Sequence, residues 1–473
     1  MRRILASHPW CPTHDAVHDT SAAPFAKLRH RAQADSPSFS PVRLHVQGDV
    51  EALMSLARLT YTILLSAITP LALLRLAWRA RRQPEYLRHV GERFGMHPPQ
   101  PDAPVIWIHA VSVGETHAAQ PLVHALRAAH PRHRILLTHT TPTGRRTGEQ
   151  LFGDTVLRAY LPYDLPWAVR RFLRAFRPQA GVLMETELWP NLLAQCRRAR
   201  IPVVLLNARM SERSARGYAR IGRLSREAMA ALSGVGAQTQ ADAQRIAALG
   251  AHRVEVTGNL KFDRSPTTAD LALGQVLRAR FGGRFVFLAA STREGEEEQV
   301  LDALEGMDDD TLLALVPRHP QRFEAVAALL AKRGIAFQRR SDGQPVRHDA
   351  RVWLGDSMGE LFACYAACDV AFVGGSLLPL GGQNLLEALA VGRPVVVGPH
   401  TYNFAQATES AVDAGAALRV ADAGELRRAV TALRSDPEGR RRMGEAGLAF
   451  MQRHSGATAR TLALVESAMA KRP

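Results

Sequence analysis

The segment WIHAVSVGETHAAQ, residues 107–120, places polar residues between an apolar run and a helical pattern. Gly114 lets the backbone approach a ligand, and Glu115 falls at the start of the helix, where it is open to a cleft. A carboxylate there could act as a general base that removes a proton from an acceptor hydroxyl. The same position also suits an ordinary first-turn glutamate stabilised by the helix dipole, so both interpretations stay open.

The segment VLMETELWPN, residues 182–191, ends a buried strand with Glu185 and Glu187. A carboxylate at a strand end is well placed for chemistry or for substrate contact. Alternatively, the two residues cap a helix that begins near Pro190, with proline in its first turn. Spacing does not decide between these two interpretations.

The segment TGNLKFD brings Asn259, Lys261 and Asp263 to the last strand end of the first half of the chain. A lysine beside an interdomain connection could reach a phosphate or carboxylate across a cleft. A solvated lysine fits the spacing equally well.

Two loops in the second half suit a nucleotide. LLALVPRHPQRF ends a strand with Pro317 and Arg318, whose guanidinium could clamp a phosphate or stack on a base. GDSMGEL follows another strand, and its residues Ser357, Met358 and Gly359 predict a tight turn before a helix.

A third loop, FVGGSLLPLGGQNLLEALA, has four glycines and a helix predicted to begin near Asn384. Free N–H groups at a helix start attract anions. Glu387 could form a capping box with Asn384, or it could accept hydrogen bonds from ribose hydroxyls. The loop is neither a P-loop nor a GxGxxG motif, which weakens ATPase and dehydrogenase interpretations. The sequence has no HExxH, DxD or clustered His/Cys set, so nothing visible requires a metal.

These segments belong to a regular alternation of apolar strands and helices. The predicted strands are 104–111, 134–140, 156–164, 180–187, 202–209, 234–239, 253–259, 285–291, 311–319, 335–340, 351–356, 370–376 and 394–399. Such alternation predicts two α/β units with parallel sheets, joined near residue 265. Ligands bind beyond the carboxyl ends of such strands, so we expect the site in a cleft between the two sheets.

Composition supports this organisation. The 473 residues exceed what one core usually holds, which predicts two domains. The 60 Lys and Arg residues against 44 Asp and Glu give a net charge of +16, which favours anionic partners. No nucleic-acid-binding motif accompanies this charge, so nucleic acid is not an expected partner. The four cysteines form neither a disulfide framework nor a zinc site, and Cys364 and Cys368 are expected to be small buried residues.

The N-terminal region differs from the rest. Residues 1–53 show no sustained periodicity of apolar residues. We interpret them as a disordered or non-native extension, with Met54 as a candidate first residue of the native protein. Residues 59–74 form an uncharged run that contains Pro70 and is followed by arginines. We interpret 54–82 as a spanning or interfacial membrane helix, with a buried helix and a signal peptide as alternatives. The positive-inside rule places the following domains in the cytoplasm if it spans.

Seven motifs occur in order that together identify a known family by resemblance: HAVSVGE, METELWPN, TGNLKFD, STREGEE, VPRHPQRF, GDSMGEL and FVGGSLLPLGGQNLLEALAVGRPVVVGPHTYNF. They closely resemble 3-deoxy-D-manno-octulosonic acid (Kdo) transferases of Gram-negative lipopolysaccharide synthesis. The resemblance runs from about Met54 to the C-terminus, and residues 1–53 have no counterpart in it.

The resemblance implies a GT-B fold, an α/β arrangement of two Rossmann-like domains facing a cleft, with an N-terminal membrane-associated helix. The acceptor domain would be 83–265 and the donor domain 266–473. It implies CMP-Kdo as donor, lipid IVA as acceptor, no metal or other cofactor, and the cytoplasmic side of the bacterial inner membrane. An inverting displacement follows as the expected reaction, since CMP is a good leaving group.

The same resemblance assigns residue roles. Glu115 would be the base, and Glu185 and Lys261 would assist the transition state. CMP would contact Pro317, Arg318, Ser357, Met358, Gly359, Asn384, Leu385, Leu386 and Glu387. Many relatives read GGHNPLE where this chain reads GGQNLLE, so Gln383 and Leu385 depart from the family pattern. Two other functions remain: a GT-B enzyme that uses another nucleotide sugar, such as a UDP-sugar, and a non-catalytic membrane protein that binds lipid A.

Overall fold

The computed structural model describes residues 46–81, 83–98 and 103–471, with side chains from residue 56 onward. Residues 1–45 of the predicted extension lie outside the described residues, together with Cys11. The backbone is helical from Val46 to Ala80, so one helix runs through the expected boundary at residues 53 and 54.

A seven-stranded sheet forms the first half of the molecule, in the order β3-β2-β1-β4-β5-β6-β7. Every pairing within it is parallel. Its strands are β1 (Val105–His109), β2 (Arg134–His139), β3 (Leu157–Tyr160), β4 (Pro178–Met184), β5 (Val203–Ala208), β6 (Gly234–Ala237) and β7 (Val254–Val256).

A second seven-stranded sheet has the order β10-β11-β9-β8-β12-β13-β14, again with parallel pairings throughout. Its strands are β8 (Phe285–Thr292), β9 (Thr311–Pro317), β10 (Phe337–Arg339), β11 (Val352–Leu354), β12 (Val370–Val373), β13 (Val395–Val397) and β14 (Ala417–Arg419). The last of these strands was not predicted from the sequence.

Helices connect the strands and cover the sheets. They are α1 (Val46–Ala80), α2 (Val113–Ala129), α3 (Pro142–Phe152), α4 (Pro166–Phe176), α5 (Pro190–Arg198), α6 (Glu212–Arg220), α7 (Arg223–Ala230), α8 (Gln240–Ala248), α9 (Thr268–Phe281), α10 (Glu296–Glu305), α11 (Phe323–Lys332), α12 (Leu361–Ala367), α13 (Leu386–Ala390), α14 (Ala405–Asp413), α15 (Ala423–Ser435), α16 (Pro437–His454) and α17 (Ala457–Ala470). Short 3-10 turns include Leu260–Asp263.

Each sheet is buried on both faces, which explains why its strands are continuous apolar runs. The five residues of β1 and all seven of β9 are buried. Separate apolar clusters lie on the two faces of each sheet, formed by the strands and the covering helices. The predicted fold class, two α/β domains built on parallel sheets, is therefore confirmed.

The last helix crosses back to the first sheet. Leu464, Val465 and Ala468 of α17 are buried in the cluster that also holds Ile106 and Val182. Helix α17 contacts α2, β4, β5 and β6. The domain expected to span 266–473 therefore ends in a helix that packs on the other sheet. Its apolar spacing resembles that of any covering helix, so the sequence did not indicate which sheet it covers.

Asp263 fixes this crossing. Its carboxylate accepts hydrogen bonds from the backbone N–H of Gly456, at 2.8 Å, and of Thr458. These N–H groups lie at the start of α17, where they have no partner within the helix. Asp263 is the last residue of the 3-10 turn that follows the first sheet. Its side chain therefore joins the segment that leaves the first sheet to the segment that returns to it as α17.

We predict that Leu464→Ala lowers the free energy of unfolding by about 2–4 kcal/mol, because Leu464 is buried against the first sheet and its removal leaves a cavity. Urea denaturation measures the change. Leu271→Ala is the matched control, since Leu271 of α9 is exposed and should change stability little. Equal effects of both substitutions would contradict the packing of α17.

Candidate active site

Glu115 lies in the first turn of α2 and is buried, with 8% of its surface exposed. Ser112 caps the helix by accepting a hydrogen bond from the N–H of Glu115 at 3.3 Å. The Glu115 carboxylate in turn accepts from the N–H of Val111 at 2.7 Å and from the Ser112 hydroxyl at 3.0 Å. Glu115 therefore lies in the first turn of the helix, as the sequence predicts.

The surroundings of Glu115 also raise the pKa of its carboxyl. Burial raises the pKa of this carboxyl from 4.5 to about 7, while the Val111 N–H opposes the rise. The negative charges of Glu185 and Glu187 raise the pKa further, so all three carboxyls share one region of the cleft. A carboxyl that titrates near neutral pH is suited to accept a proton during a reaction.

Glu185 and Lys261 meet at the carboxyl edge of the first sheet. The Lys261 ammonium lies 3.7 Å from Oε1 of Glu185 and 5.6 Å from the centre of the Phe404 ring. Glu185 has φ of +59°, a left-handed backbone that costs a non-glycine residue energy. Strain of this kind at the end of a buried strand is common in functional sites.

A cavity of about 360 Å³ opens at this pair. The first half of the chain contributes Glu185, Arg209 and Lys261, and the second half contributes Phe404 and other residues between Leu386 and His454. Both halves of the chain thus line one cavity, as expected for a cleft between two parallel sheets.

The two halves of the chain also approach each other near His117. His117, one turn beyond the start of α2, has its pKa lowered to about 4 by burial, with the charges of Arg264 and Arg318 adding to the effect. Arg318 follows β9 of the second sheet. His117 of α2 is therefore within electrostatic range of the arginine predicted to hold a nucleotide.

Gln383 orients Arg318. Its amide oxygen accepts a hydrogen bond from Nε of Arg318 at 3.3 Å. Burial lowers the pKa of the Arg318 guanidinium, and the nearby carboxylate of Glu387 opposes this change. The departure from the family pattern at Gln383 thus falls on a residue that positions a candidate phosphate ligand.

The glycine loop before Gln383 is held by Glu296, a residue that sequence reasoning missed. Glu296 is fully buried, and its carboxylate accepts from the N–H groups of Gly375 at 2.6 Å and of Ser376 and Leu377 at 3.0 Å. Burial raises the pKa of this carboxyl, and those N–H groups oppose the rise. In the sequence Glu296 lies in the acidic run EGEEE, which suggests a solvated surface, and only the STREGEE motif could have indicated it.

The helix predicted to begin near Asn384 begins two residues later, since α13 extends from Leu386 to Ala390. The capping box, one of the two alternatives for Asn384 and Glu387, is absent from these residues. The Asn384 side chain accepts from the Leu386 N–H at 3.2 Å and donates to Oε1 of Glu387 at 3.2 Å. Arg264 pairs with the same Glu387 oxygen from the other half of the chain. The ribose contact of Glu387 stays a prediction.

The remaining CMP-site candidates follow neighbouring strands. The predicted turn forms, with Gly359 at φ of +85°, Met358 exposed and the Ser357 hydroxyl donating to Glu360 at 2.6 Å. It follows β11, which pairs with β9, so the turn lies at the same sheet edge as Pro317 and Arg318. Leu385 and Leu386 are buried core residues, and Leu386 also lines the cavity.

The three cysteines within the described residues are free and buried. Burial raises the pKa of Cys196, Cys364 and Cys368 to about 12, so these thiols stay protonated near neutral pH. The interpretation of Cys364 and Cys368 as small buried residues is confirmed. Among the described residues, no group of three or more His, Cys, Asp and Glu side chains is arranged to hold a metal ion.

Residues 88–264 match the family model of 3-deoxy-D-manno-octulosonic-acid transferase (kdotransferase), and residues 337–450 match that of glycosyl transferases group 1. The 3-deoxy-D-manno-octulosonic acid transferase of Bordetella pertussis is 46% identical over 429 residues, which cover 87% of this chain and 99% of that protein. The chain belongs to the Kdo transferase family.

A second Kdo transferase, from Haemophilus influenzae, is 40% identical and covers 86% of this chain and 98% of its own length. Among solved structures, Anabaena Alr3699/HepE in complex with UDP has a TM-score of 0.51 at 16% identity, covering 78% of this chain and all of that one. That likeness concerns the fold alone. The Kdo transferase assignment made from the motifs is confirmed.

We predict that Glu115→Gln stabilises this Kdo transferase increasingly as pH rises from about 5 to 7. The folded pKa of about 7 exceeds the unfolded value of 4.5, so the folded chain binds more protons in that window and wild-type stability falls as pH rises. Glutamine keeps the cap without titrating. The gain relative to wild type should reach about 1–3 kcal/mol and stay constant above this window.

Urea denaturation at several pH values measures this gain. Glu425→Gln is the matched control, because Glu425 caps α15 in the same way: its carboxylate accepts from the Ala421 N–H at 2.8 Å and Asp422 is the N-cap. Its side chain is 43% exposed. A pH-independent difference for Glu115→Gln would contradict a raised pKa at Glu115.

Proposed function

We propose that this Kdo transferase moves Kdo from CMP-Kdo to lipid IVA by inverting displacement, with Glu115 as the general base. The observation that carries the proposal is a buried carboxyl with a pKa of about 7 at the start of α2, a helix whose His117 is within electrostatic range of Arg318. We infer that the base and the candidate nucleotide ligand lie on opposite sides of the space in which sugar transfer would occur.

In the proposed step, an acceptor hydroxyl oxygen attacks the anomeric carbon of Kdo. The bond from this carbon to the phosphate oxygen of CMP breaks, and CMP leaves with the bonding electrons. Glu115 receives the hydroxyl proton. Attack opposite to the leaving group inverts the anomeric configuration. Glu115 must be ionised to act, which its pKa permits near neutral pH.

The charges around the cleft support a reaction without a metal. Arg318 would contact the CMP phosphate, and Lys261 would balance the negative charge that the phosphate gains as the bond breaks. Glu185 holds the Lys261 ammonium at 3.7 Å, which makes it a positioning residue in this scheme. The Ser357–Gly359 turn and the backbone at Asn384 would complete the CMP site at the same edge.

The acceptor and the location follow from charge and from the N-terminal helix. A net charge of +16 suits a substrate with phosphates at an anionic membrane surface. Among the described residues, one helix segment, Leu56–Ala80, is long and apolar enough to cross a membrane by length and composition. We propose that the protein works at the cytoplasmic face of the bacterial inner membrane.

Mass spectrometry of the product tests the proposal directly. Purified protein is incubated with CMP-Kdo and lipid IVA, and the product should carry the added mass of Kdo. Product formed from a UDP-sugar instead, or binding of lipid A without any transfer, would support the two alternative functions and overturn this one.

We predict that Glu115→Gln lowers kcat by about 10²–10⁴-fold, because the base is lost while the helix cap remains. For the wild type, kcat/KM should rise with pH and level off above about pH 7, where Glu115 is ionised. Steady-state assays across pH measure both effects. Glu425→Gln controls for the cap and should keep full activity, so equal losses in the two variants would remove Glu115 as the base.

We predict that CMP protects the wild type from heat and that UDP does not. Arg318→Ala should weaken CMP binding by about 10-fold or more, since it removes a charged hydrogen-bond donor from the phosphate. Thermal shift titrations measure both. Arg428→Ala, at an exposed position of α15, should leave CMP binding unchanged. Protection by UDP alone would identify a different donor.

A further inference from the structure

One face of α1 presents a continuous apolar surface to solvent. Its large side chains are between 53% and 66% exposed: Leu56, Leu59, Ile63, Leu64, Ile68, Leu71, Leu74 and Trp78. We call these eight residues the apolar stripe. They follow one another at helical spacing, and only 6% of the helix's most apolar window is buried. Soluble surfaces rarely carry a stripe of this size without a partner.

The opposite face of α1 is docked on the first domain through polar contacts. Arg58 forms an ion pair with Glu227 of α7. The Tyr61 hydroxyl donates to Asp164 at 3.0 Å, just before α4. The Asn191 amide of α5 donates to the Thr62 hydroxyl at 2.9 Å. These contacts need the helix to lie against the body of the protein.

The docked face also extends along the helix. Leu76 and Ala80 are buried, more than four turns beyond Tyr61. From Arg58 to Ala80 the helix is about 33 Å long, close to the thickness of a bilayer's hydrocarbon core. The part of α1 that could cross a membrane is therefore the same part that lies beside the protein. A spanning orientation would break the contacts of Arg58, Tyr61 and Thr62.

Four hydroxyls of α1 form hydrogen bonds within the helix. The hydroxyls of Thr60, Thr62, Ser66 and Thr69 each donate to the carbonyl four residues earlier. Such bonds let hydroxyl-bearing residues enter an apolar environment at low cost.

The helices at or next to the contacts of α1 carry a strong positive charge. Helices α4, α5 and α7 bear one acidic residue, Glu227, which Arg58 neutralises, and seven exposed arginines: Arg170, Arg171, Arg174, Arg197, Arg198, Arg223 and Arg226. Arg75 and Arg79 of α1 are exposed as well. Cations on α1 and on these helices, together with the apolar stripe, match an anionic lipid surface, which offers phosphates next to acyl chains.

We propose that α1 lies in the plane of an anionic membrane surface, with the apolar stripe inserted among the lipids and the opposite face docked on the first domain. In this orientation the helix does not cross the bilayer. The inference builds on the membrane location in the proposed function and specifies how the chain meets the lipid. It does not depend on which sugar is transferred.

Depth-dependent fluorescence quenching tests the orientation. Single cysteines replace Ile63, Ile68 and Leu74 in a Cys11→Ser background, and each is labelled with an environment-sensitive dye. The three described native cysteines are buried, so they label poorly. The labelled full chain is bound to vesicles of phosphatidylethanolamine and phosphatidylglycerol that carry quenchers at known depths.

We expect the same shallow depth at all three positions, and little quenching of a label at Leu65 on the opposite face. A depth profile that is deepest at Ile68, with Leu65 equally quenched, would show a spanning helix and overturn the proposal. A chain that fails to float with the vesicles would overturn it too, since the stripe would then serve another partner. None of these readings involves sugar transfer, so they stay distinct from failure of the proposed function.

Crosslinking tests whether the docked helix is the membrane-bound form. Arg58→Cys with Glu227→Cys should be joined by a short bifunctional maleimide on vesicles, and the joined protein should still float with them. Leu59→Cys with Glu227→Cys is the matched control, because Leu59 lies on the stripe and should not be joined. Crosslinking that occurs only off the vesicles would contradict docking at the membrane.

Substitutions in the apolar stripe measure how much it contributes to membrane binding. Leu64→Asp and Leu71→Asp should each lower vesicle partitioning by about 10-fold or more, since each removes a buried leucine from lipid. Leu271→Asp, at an exposed leucine of α9, should have no such effect. Unchanged protection by CMP would show that the stripe variants are folded. Undiminished partitioning of folded variants would overturn the proposal.

Discussion

The carboxylate of Asp263 connects the two halves of this molecule at the point where the chain passes between them. The chain leaves the first sheet through Asp263 and returns at Gly456 and Thr458, whose N–H groups the same carboxylate accepts. Ring contacts of Phe262 with Phe450 and His454 lie beside it, at 5.7 and 4.9 Å between centres. Lys261, two residues earlier, is thereby held at the cleft, and the arrangement of both sheets depends on this junction.

Capping and catalysis are compatible uses of one carboxylate. Glu115 and Glu425 accept the same hydrogen bond from the residue four positions earlier. What differs is the environment: Glu115 is buried beside Glu185 and Glu187, whereas Glu425 is partly exposed. Local sequence encodes the cap in both cases, and only the tertiary structure supplies the neighbouring charges that raise the pKa of Glu115.

Much of the fold could be predicted because strands buried on both faces are apolar runs such as Val105–His109, and short polar turns separate them. Strand β14 was not predicted, since Ala417–Arg419 has only three residues and two of them are exposed. Family motifs identified Glu115, Glu185 and Lys261, whose contacts the structure describes. Glu296 could not be found from its neighbours, because its partners lie about 80 residues away.

The junction at Asp263 also closes a long loop of chain. Asp263 and Gly456 are 193 residues apart in the sequence, and one carboxylate holds them together. The second sheet is built from the chain between these two points, so it both begins and ends at the same place on the first half. Lys261 and Phe262 directly precede Asp263, and the ring contacts of Phe262 with Phe450 and His454 fix the same point from the second half. The wall of the cavity next to Lys261 is therefore set by the place where this loop closes.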